Sequence, residues 1–180
     1  YALEGSIFIA GAGVQWLRDK LRLIDNAYDT EKIAKSKMNN NEIYIVPAFT
    51  GLGAPYWRPD TKGLITGITR DTDWKNFVRA TLESVAYQSH DLFESMRKDG
   101  CKSKIIKVDG GMVSNNWLAQ FLADILNTKV LRPKIEDTTA LGVAFFAGYQ
   151  IGEFKSLEEI KNKWKKDAIF SPKISQKQRN

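Results

Sequence analysis

The chain has 180 residues, of which 43% are hydrophobic and 27% charged, with five tryptophans and a formal net charge of +6. A chain of that length buries roughly 70% of the surface its unfolded form exposes, and this composition excludes a disordered or low-complexity protein. No apolar run reaches the roughly 18 residues of a membrane span, and the opening at Tyr1, without methionine or a basic-then-apolar leader, reads as a cut from something longer.

Cys101 is the sole cysteine, which excludes an internal disulfide and a cysteine-based metal site and fits a reducing cytoplasm. The basic excess gathers near the end, at Lys161, Lys163, Lys165, Lys166, Lys173, Lys177 and Arg179. Charges around a terminal helix and a polar tail form a solvated face. No nucleic-acid-binding signature accompanies them, so nucleic acid is not an expected partner. Residues 1–172 are expected to form one domain and 173–180 a polar basic tail.

In chain order, the spacing of Val14, Leu17, Leu21 and Ile24 predicts a first helix from about Ala10 to Ile24 with those four as its core stripe. A polar stretch through Asn26, Asp29 and Thr30 follows, and Lys37 to Asn41 reads as a loop. Ile43, Tyr44, Ile45 and Val46 make a buried strand that stops at Pro47. Gly51 to Trp57 is a turn-rich loop, and Leu64 to Thr69 a short strand. Asp71 to Asp73 supplies a cap for a long helix from Trp74 to Lys98. Strand and helix then alternate: Lys104–Val108, Asn116–Leu126, Lys129–Arg132 and Thr139–Gly148. The final helix is Ser156–Trp164, with Ser156 and Glu159 at capping-box spacing. Such alternation argues for an α/β domain with helices packed on a sheet.

Three segments bear on chemistry. Ile105 to Gly111 is an apolar strand running into a double glycine, followed by Ser114-Asn-Asn116 ahead of a helix. Gly110 and Gly111 admit a ligand close to the backbone, and the helix start presents unpaired N–H groups to a phosphate or sugar oxygen. A tight turn with a simple Ser114 or Asn115 cap explains the same residues. Neither a P-loop nor a dinucleotide fingerprint is present. In the first helix, Gly11 and Gln15 stand one turn apart and away from the core stripe; they face a cleft, or they serve close packing and solvent. Ala140, Ala144 and Ala147 or Gly148 form a small-residue stripe that is best read as helix packing. Lone His90 has no triad partners, Glu83, Asp91 and Glu94 read as a solvated face, and no complete active site is present.

Taken together, these segments resemble the glycerol kinases of the FGGY carbohydrate kinase family, within the actin-like ATPase superfamily. The resemblance runs in order from Tyr1-Ala-Leu-Glu-Gly-Ser6 through Ala10-Gly-Ala-Gly-Val-Gln-Trp-Leu-Arg-Asp19 and Val46 to Trp57. It continues through Arg79 to Gln88, Val108-Asp-Gly-Gly-Met-Val-Ser-Asn-Asn116, Arg132-Pro133 and Thr138 to Gly142. It departs at Arg58 and Asp71, where the family commonly has an acidic residue and a glycine. The resemblance implies an actin-like (ribonuclease H-like) α/β domain, a mixed sheet flanked by helices and truncated at its N-terminal edge. It implies that Gly11, Gln15, Gly111 and Asn115 contact ATP, brought with Mg2+, and that Gly110 and Asp109 neighbour it. The catalytic aspartate and the glycerol-holding residues are implied to precede Tyr1. The intact protein is implied to be a cytoplasmic homo-oligomer acting on glycerol, with a pentulose or other polyol as the alternative substrate.

Overall fold

The computed structural model describes residues 3–37 and 42–179; most of the expected loop Lys37–Asn41, together with Tyr1 and Ala2, lies outside them. The central element is α3 (Trp74–Lys98), whose bounds match those expected from its periodicity and cap. Asp73 starts it: Oδ1 accepts from the Lys75 and Asn76 amides at 2.9 and 3.2 Å, and Asn76 Oδ1 accepts from the Asp73 amide at 3.0 Å. This closed box satisfies N–H groups that the first turn otherwise leaves free. Asp73→Ala is expected to cost about 1 kcal/mol, read from the urea midpoint, with Asp73→Asn retaining most of the stability. An unchanged midpoint in the alanine variant would show that the box does not secure the helix.

Around α3 pack α1 (Gly11–Asp19), α2 (Asp29–Ser36) and α4 (Asn116–Leu126). Val14, Leu17, Ile24, Ala34, Val78, Leu82 and Leu118 form their common core. Gly13 lets α1 lie close to α3, since a Cβ there would sit 3.1 Å from Thr81 Cγ2. Helix α1 stops at Asp19 rather than Ile24. The Lys20 and Leu21 amides both bond to the Trp16 carbonyl, and Arg22 adopts a left-handed φ of 54°. The chain then doubles back, with the Leu23 amide on the Leu17 carbonyl at 2.9 Å, so Ile24 reaches the core from a loop while Leu21 stays exposed. The polar stretch after it is helical, a correction to the sequence reading. Thr30 and Ala34 face inward, Asp29 and Glu31 occupy the first turn, and Lys35 the last, the charge order a helix dipole favours.

Strands β1 (Tyr44–Val46) and β2 (Leu64–Thr66) pair antiparallel, with Ile45 opposite Ile65, over Ala80 and Phe77 of α3. A second sheet has the order β3-β4-β5. Strand β3 (Ile105–Lys107) runs parallel to β4 (Lys129–Pro133), and β4 runs antiparallel to β5 (Lys166–Phe170), with a register irregularity at Arg132 and Pro133. Helix α5 (Thr138–Gln150) follows β4, and α6 (Leu157–Lys163) precedes β5. The Ser156 hydroxyl caps the Glu159 amide, but the Glu159 carboxylate accepts from Lys155 rather than from Ser156. The final element is not α6, as expected, but the short α7 (Gln176–Arg179). Its segment is tied to α4: the Lys173 amide reaches Asp124 Oδ1 at 2.6 Å and Arg179 Nε the Asp124 carbonyl at 2.7 Å.

Two further readings are corrected. The small-residue stripe of α5 does not pack along its length. No residue of α5 is buried, Val143 and Phe146 are 68% and 65% exposed, and close contact occurs at Gly148, where a Cβ would meet Phe154 at 2.7 Å. Glu83 is not on a solvated face. It is 3% exposed and accepts from Arg79 Nε at 2.7 Å, because the first half of α3 is enclosed by neighbours on several sides.

Candidate functional site

A cavity of about 380 Å3 opens between α1, α2 and the short 3-10 turn Gly111–Ser114 that joins β3 to α4. That volume lies within the usual range of small-ligand sites. Gly11 and Gln15 line it from α1, Thr30 and Glu31 from α2, and Gly111 and Asn115 from the turn and the start of α4. Four of the five singled-out residues thus meet around one space. Gly110 lies in the adjoining open hollow with Asp109, Glu136, Asp137 and Thr138, and Gly111 borders both.

The two glycines differ. Gly110 has a φ of 85°, and its amide bonds to the Glu136 carbonyl at 3.0 Å. That left-handed backbone favours glycine. Gly111 lacks a positive φ, and a Cβ built on it would meet nothing within 4 Å. Its bare backbone therefore faces open space, where another group can approach without displacing the protein. Gly11 brings α1 against the same turn, with a Cβ position 3.7 Å from Met112 Cγ and Sδ.

Asn115 satisfies the capping reading outright: Oδ1 accepts from the Leu118 amide at 2.9 Å. Its Nδ2 donates to Thr30 Oγ1 at 3.2 Å, and that hydroxyl in turn donates to the Ala27 carbonyl at 2.6 Å. The amide group is thus fixed from both ends while lining the cavity, and Nδ2 keeps a second N–H. Next to it, Glu31 accepts from the Asn116 amide at 3.0 Å and from Asn116 Nδ2 at 3.2 Å, and pairs with Lys35. Burial pushes the Glu31 carboxyl up, but Lys35 and the Asn116 donors outweigh it and hold the carboxyl below its ordinary range. Glu31 therefore keeps its charge at neutral pH. At the mouth, Arg18 forks onto Asp19 at 2.6 and 3.0 Å.

Thr30, Glu31 and Met112 were not singled out from the sequence. The acidic first turn of α2 was visible as composition, but its pairing with residues 85 positions later was not. Elsewhere, His90 Nδ1 lies 3.7 Å from Asp91. Asp91 instead accepts from the Tyr56 hydroxyl at 2.7 Å and raises its pKa, so the Pro55-Tyr56-Trp57 loop folds back onto α3. Among the described residues no group of three His, Cys, Asp or Glu side chains is placed to hold a metal, and no helix is long and apolar enough to cross a membrane.

The pairing of a glycine turn with a helix wall around this cavity has a family context. The model of the FGGY family of carbohydrate kinases, C-terminal domain, matches residues 1–151. This chain belongs to the FGGY family. It is 52% identical over 180 residues to the glycerol kinase of Alteromonas mediterranea, covering 100% of this chain and 36% of that protein. It is 56% identical over 173 residues to the glycerol kinase of Alkaliphilus metalliredigens, covering 96% of this chain and 35% of that protein. Its fold matches the crystal structure of Plasmodium falciparum glycerol kinase with ADP at a TM-score of 0.88 and 40% identity, over 99% of this chain and 36% of that one. The chain spans about a third of the length of the relatives it matches. The FGGY fold accounts for the mixed sheet flanked by helices that was expected, the actin-like ATPase arrangement.

Proposed function

We propose that this chain is the nucleotide-binding part of an ATP:glycerol 3-phosphotransferase, with Gly11, Gln15, Gly110, Gly111 and Asn115 facing the nucleotide. One observation carries the reading. Two segments about a hundred residues apart, the Gly11–Gln15 turn of α1 and the Gly111–Asn115 turn, face each other across one 380 Å3 cavity. The solved relative crystallised with ADP shares this fold at 40% identity. On this reading the bare backbone at Gly111 receives phosphate oxygens, with Gly110 shaping the turn beside it through its bond to Glu136, and the α1 and α2 walls receive the nucleoside. Mg2+ arrives on the phosphates, as it commonly does. The open hollow carries the carboxylates of Asp109, Glu136 and Asp137; Asp109 accepts from the Thr138 hydroxyl through Oδ2 and Asp137 caps α5 at the Ala140 amide through Oδ1, so each keeps a second oxygen with which it would reach the ion or its water. When bound, the ion would offset phosphate charge during transfer.

The remaining two-thirds of such a kinase would supply the glycerol pocket and the base that takes the hydroxyl proton, in a cytoplasmic and oligomeric enzyme. Phosphoryl transfer depends on alignment and charge stabilisation across a closed cleft. This chain alone is therefore expected to bind nucleotide without transferring phosphate. Calorimetric titration of the folded chain with MgADP and MgATP tests this. Saturable binding at millimolar concentration or below, with no phosphate transferred to glycerol, is the expected result. Binding to a polyanion such as heparin, with no response to either nucleotide, would overturn the reading in favour of an interaction module with a basic surface.

A further inference from the structure

The 3-10 turn Gly111–Ser114 has a few short-range hydrogen bonds of its own, Val113 amide to the Gly110 carbonyl and Ser114 hydroxyl to the Gly111 carbonyl among them, and a side chain from another part of the chain adds to them. Arg132, on β4, sends Nη1 to the carbonyls of Val113 at 3.0 Å and Ser114 at 3.2 Å and to Asn116 Oδ1 at 3.0 Å. Its Nε and Nη2 both meet Asp167 Oδ2, at 2.9 and 2.6 Å. The guanidinium also lies over the Phe170 ring, 5.5 Å from its centroid, and the side chain is 13% exposed. From the opposite side, Glu31 grips the Asn116 amide. The turn that floors the cavity is thus held between α2 and a planar cation whose own orientation is set by a carboxylate on β5.

We infer that Arg132 and Asp167 are positioning residues for the nucleotide site: Asp167 orients the Arg132 fork, and the fork fixes the Gly111–Ser114 turn against the ligand. The inference rests on the nucleotide reading above. It also gives a role to the segment beyond residue 151, where the family match ends, since β5 carries both Asp167 and Phe170. That segment is secured independently by the Gln120 Nε2 bond to the Ser171 carbonyl at 2.8 Å and by the Asp124 bonds to Lys173 and Arg179. A lysine cannot replace the arginine here, because one ammonium cannot reach two carbonyls, an amide oxygen and a carboxylate in a fixed plane.

The test uses the full chain with Arg132→Ala, Arg132→Lys and Asp167→Asn, at a temperature where circular dichroism shows each variant folded. Asp167→Asn keeps an acceptor and carries the test should either arginine variant fail to fold. Two readouts are taken: the MgADP dissociation constant, and amide hydrogen exchange at Val113 and Asn115 compared with Leu82 in α3. Arg132→Ala is expected to weaken MgADP about tenfold, Arg132→Lys nearly as much and Asp167→Asn about threefold, with faster exchange confined to the turn. A general stabilising role would instead speed exchange in α3 as well and leave the dissociation constant unchanged in folded protein. Unchanged turn exchange, or faster exchange with unaltered MgADP binding, overturns this inference while leaving the nucleotide site standing. Absence of MgADP binding by the wild type overturns both together.

Discussion

Arg79→Ala is expected to be among the most destabilising single substitutions in this chain, costing about 3 kcal/mol or more, or about 10 °C in melting temperature for a protein of this size. Arg79 and Glu83 sit one turn apart on α3, with side chains 12% and 3% exposed. Their order, cation before anion, is the less favourable one for an isolated helix, so local propensity does not explain the pair. Tertiary placement does: Arg79 also donates to the Lys37 carbonyl beyond the end of α2, and its guanidinium lies 5.1 Å from the Trp117 ring of α4. Removing the cation takes away the nearest offset to a buried carboxylate, a hydrogen bond to the Lys37 carbonyl and the contact with Trp117 at once. The double change Arg79→Met with Glu83→Leu is expected to recover most of the loss, because two apolar groups of similar volume carry no charge to desolvate. Urea denaturation of both variants decides. A loss below about 1 kcal/mol for Arg79→Ala, the scale of an exposed pair, would mean that water reaches Glu83 freely.

The same pair shows where sequence reading ran out. Glu83, Asp91 and Glu94 look alike as acidic residues on one helix, yet Glu83 lies within the enclosed first half of α3 and the other two beyond it. No local pattern carries that difference. Helices α3 and α4 were legible to the residue, because an apolar period and a capping side chain, Asp73 or Asn115, agree at each. Helix α1 was drawn too long because Leu21 and Ile24 keep the period after the helix has ended at Asp19 and the chain turns at Arg22. Helix α2 escaped because Thr30 and Ala34, its buried residues, carry almost no hydrophobic signal. For α5 the period reported small residues and the absence of any charged side chain, both signs of burial, while the structure leaves the helix largely uncovered. At the site, spacing alone left two readings for each motif, while the family resemblance set Gly11, Gln15, Gly111 and Asn115 on one ligand. What the sequence order hid was how they are held: Gly11 beside Met112, Thr30 beside Asn115, and Arg132 bonded to the turn.

Gly111→Asp is expected to weaken adenine-nucleotide binding by at least about a hundredfold, roughly 2.7 kcal/mol, while leaving the urea midpoint nearly unchanged. The two halves of that expectation come from different observations. Stability is preserved because Gly111 lacks a positive φ and a new Cβ meets nothing within 4 Å, so no backbone strain or clash is introduced. Affinity falls because the added carboxylate projects from the turn that borders both hollows and sets a like charge against phosphate. Gly111→Ala separates charge from bulk: a methyl group in open space should cost well under tenfold. Gly110→Ala reverses the pattern, since a φ of 85° makes a side chain cost about 1 kcal/mol of stability or more. Calorimetry beside denaturation on the three variants therefore yields a signature rather than a single loss. Should Gly111→Asp bind MgADP as tightly as the wild type, the phosphates do not lie against this turn, and the cavity would have to hold its ligand by the α1 and α2 walls alone.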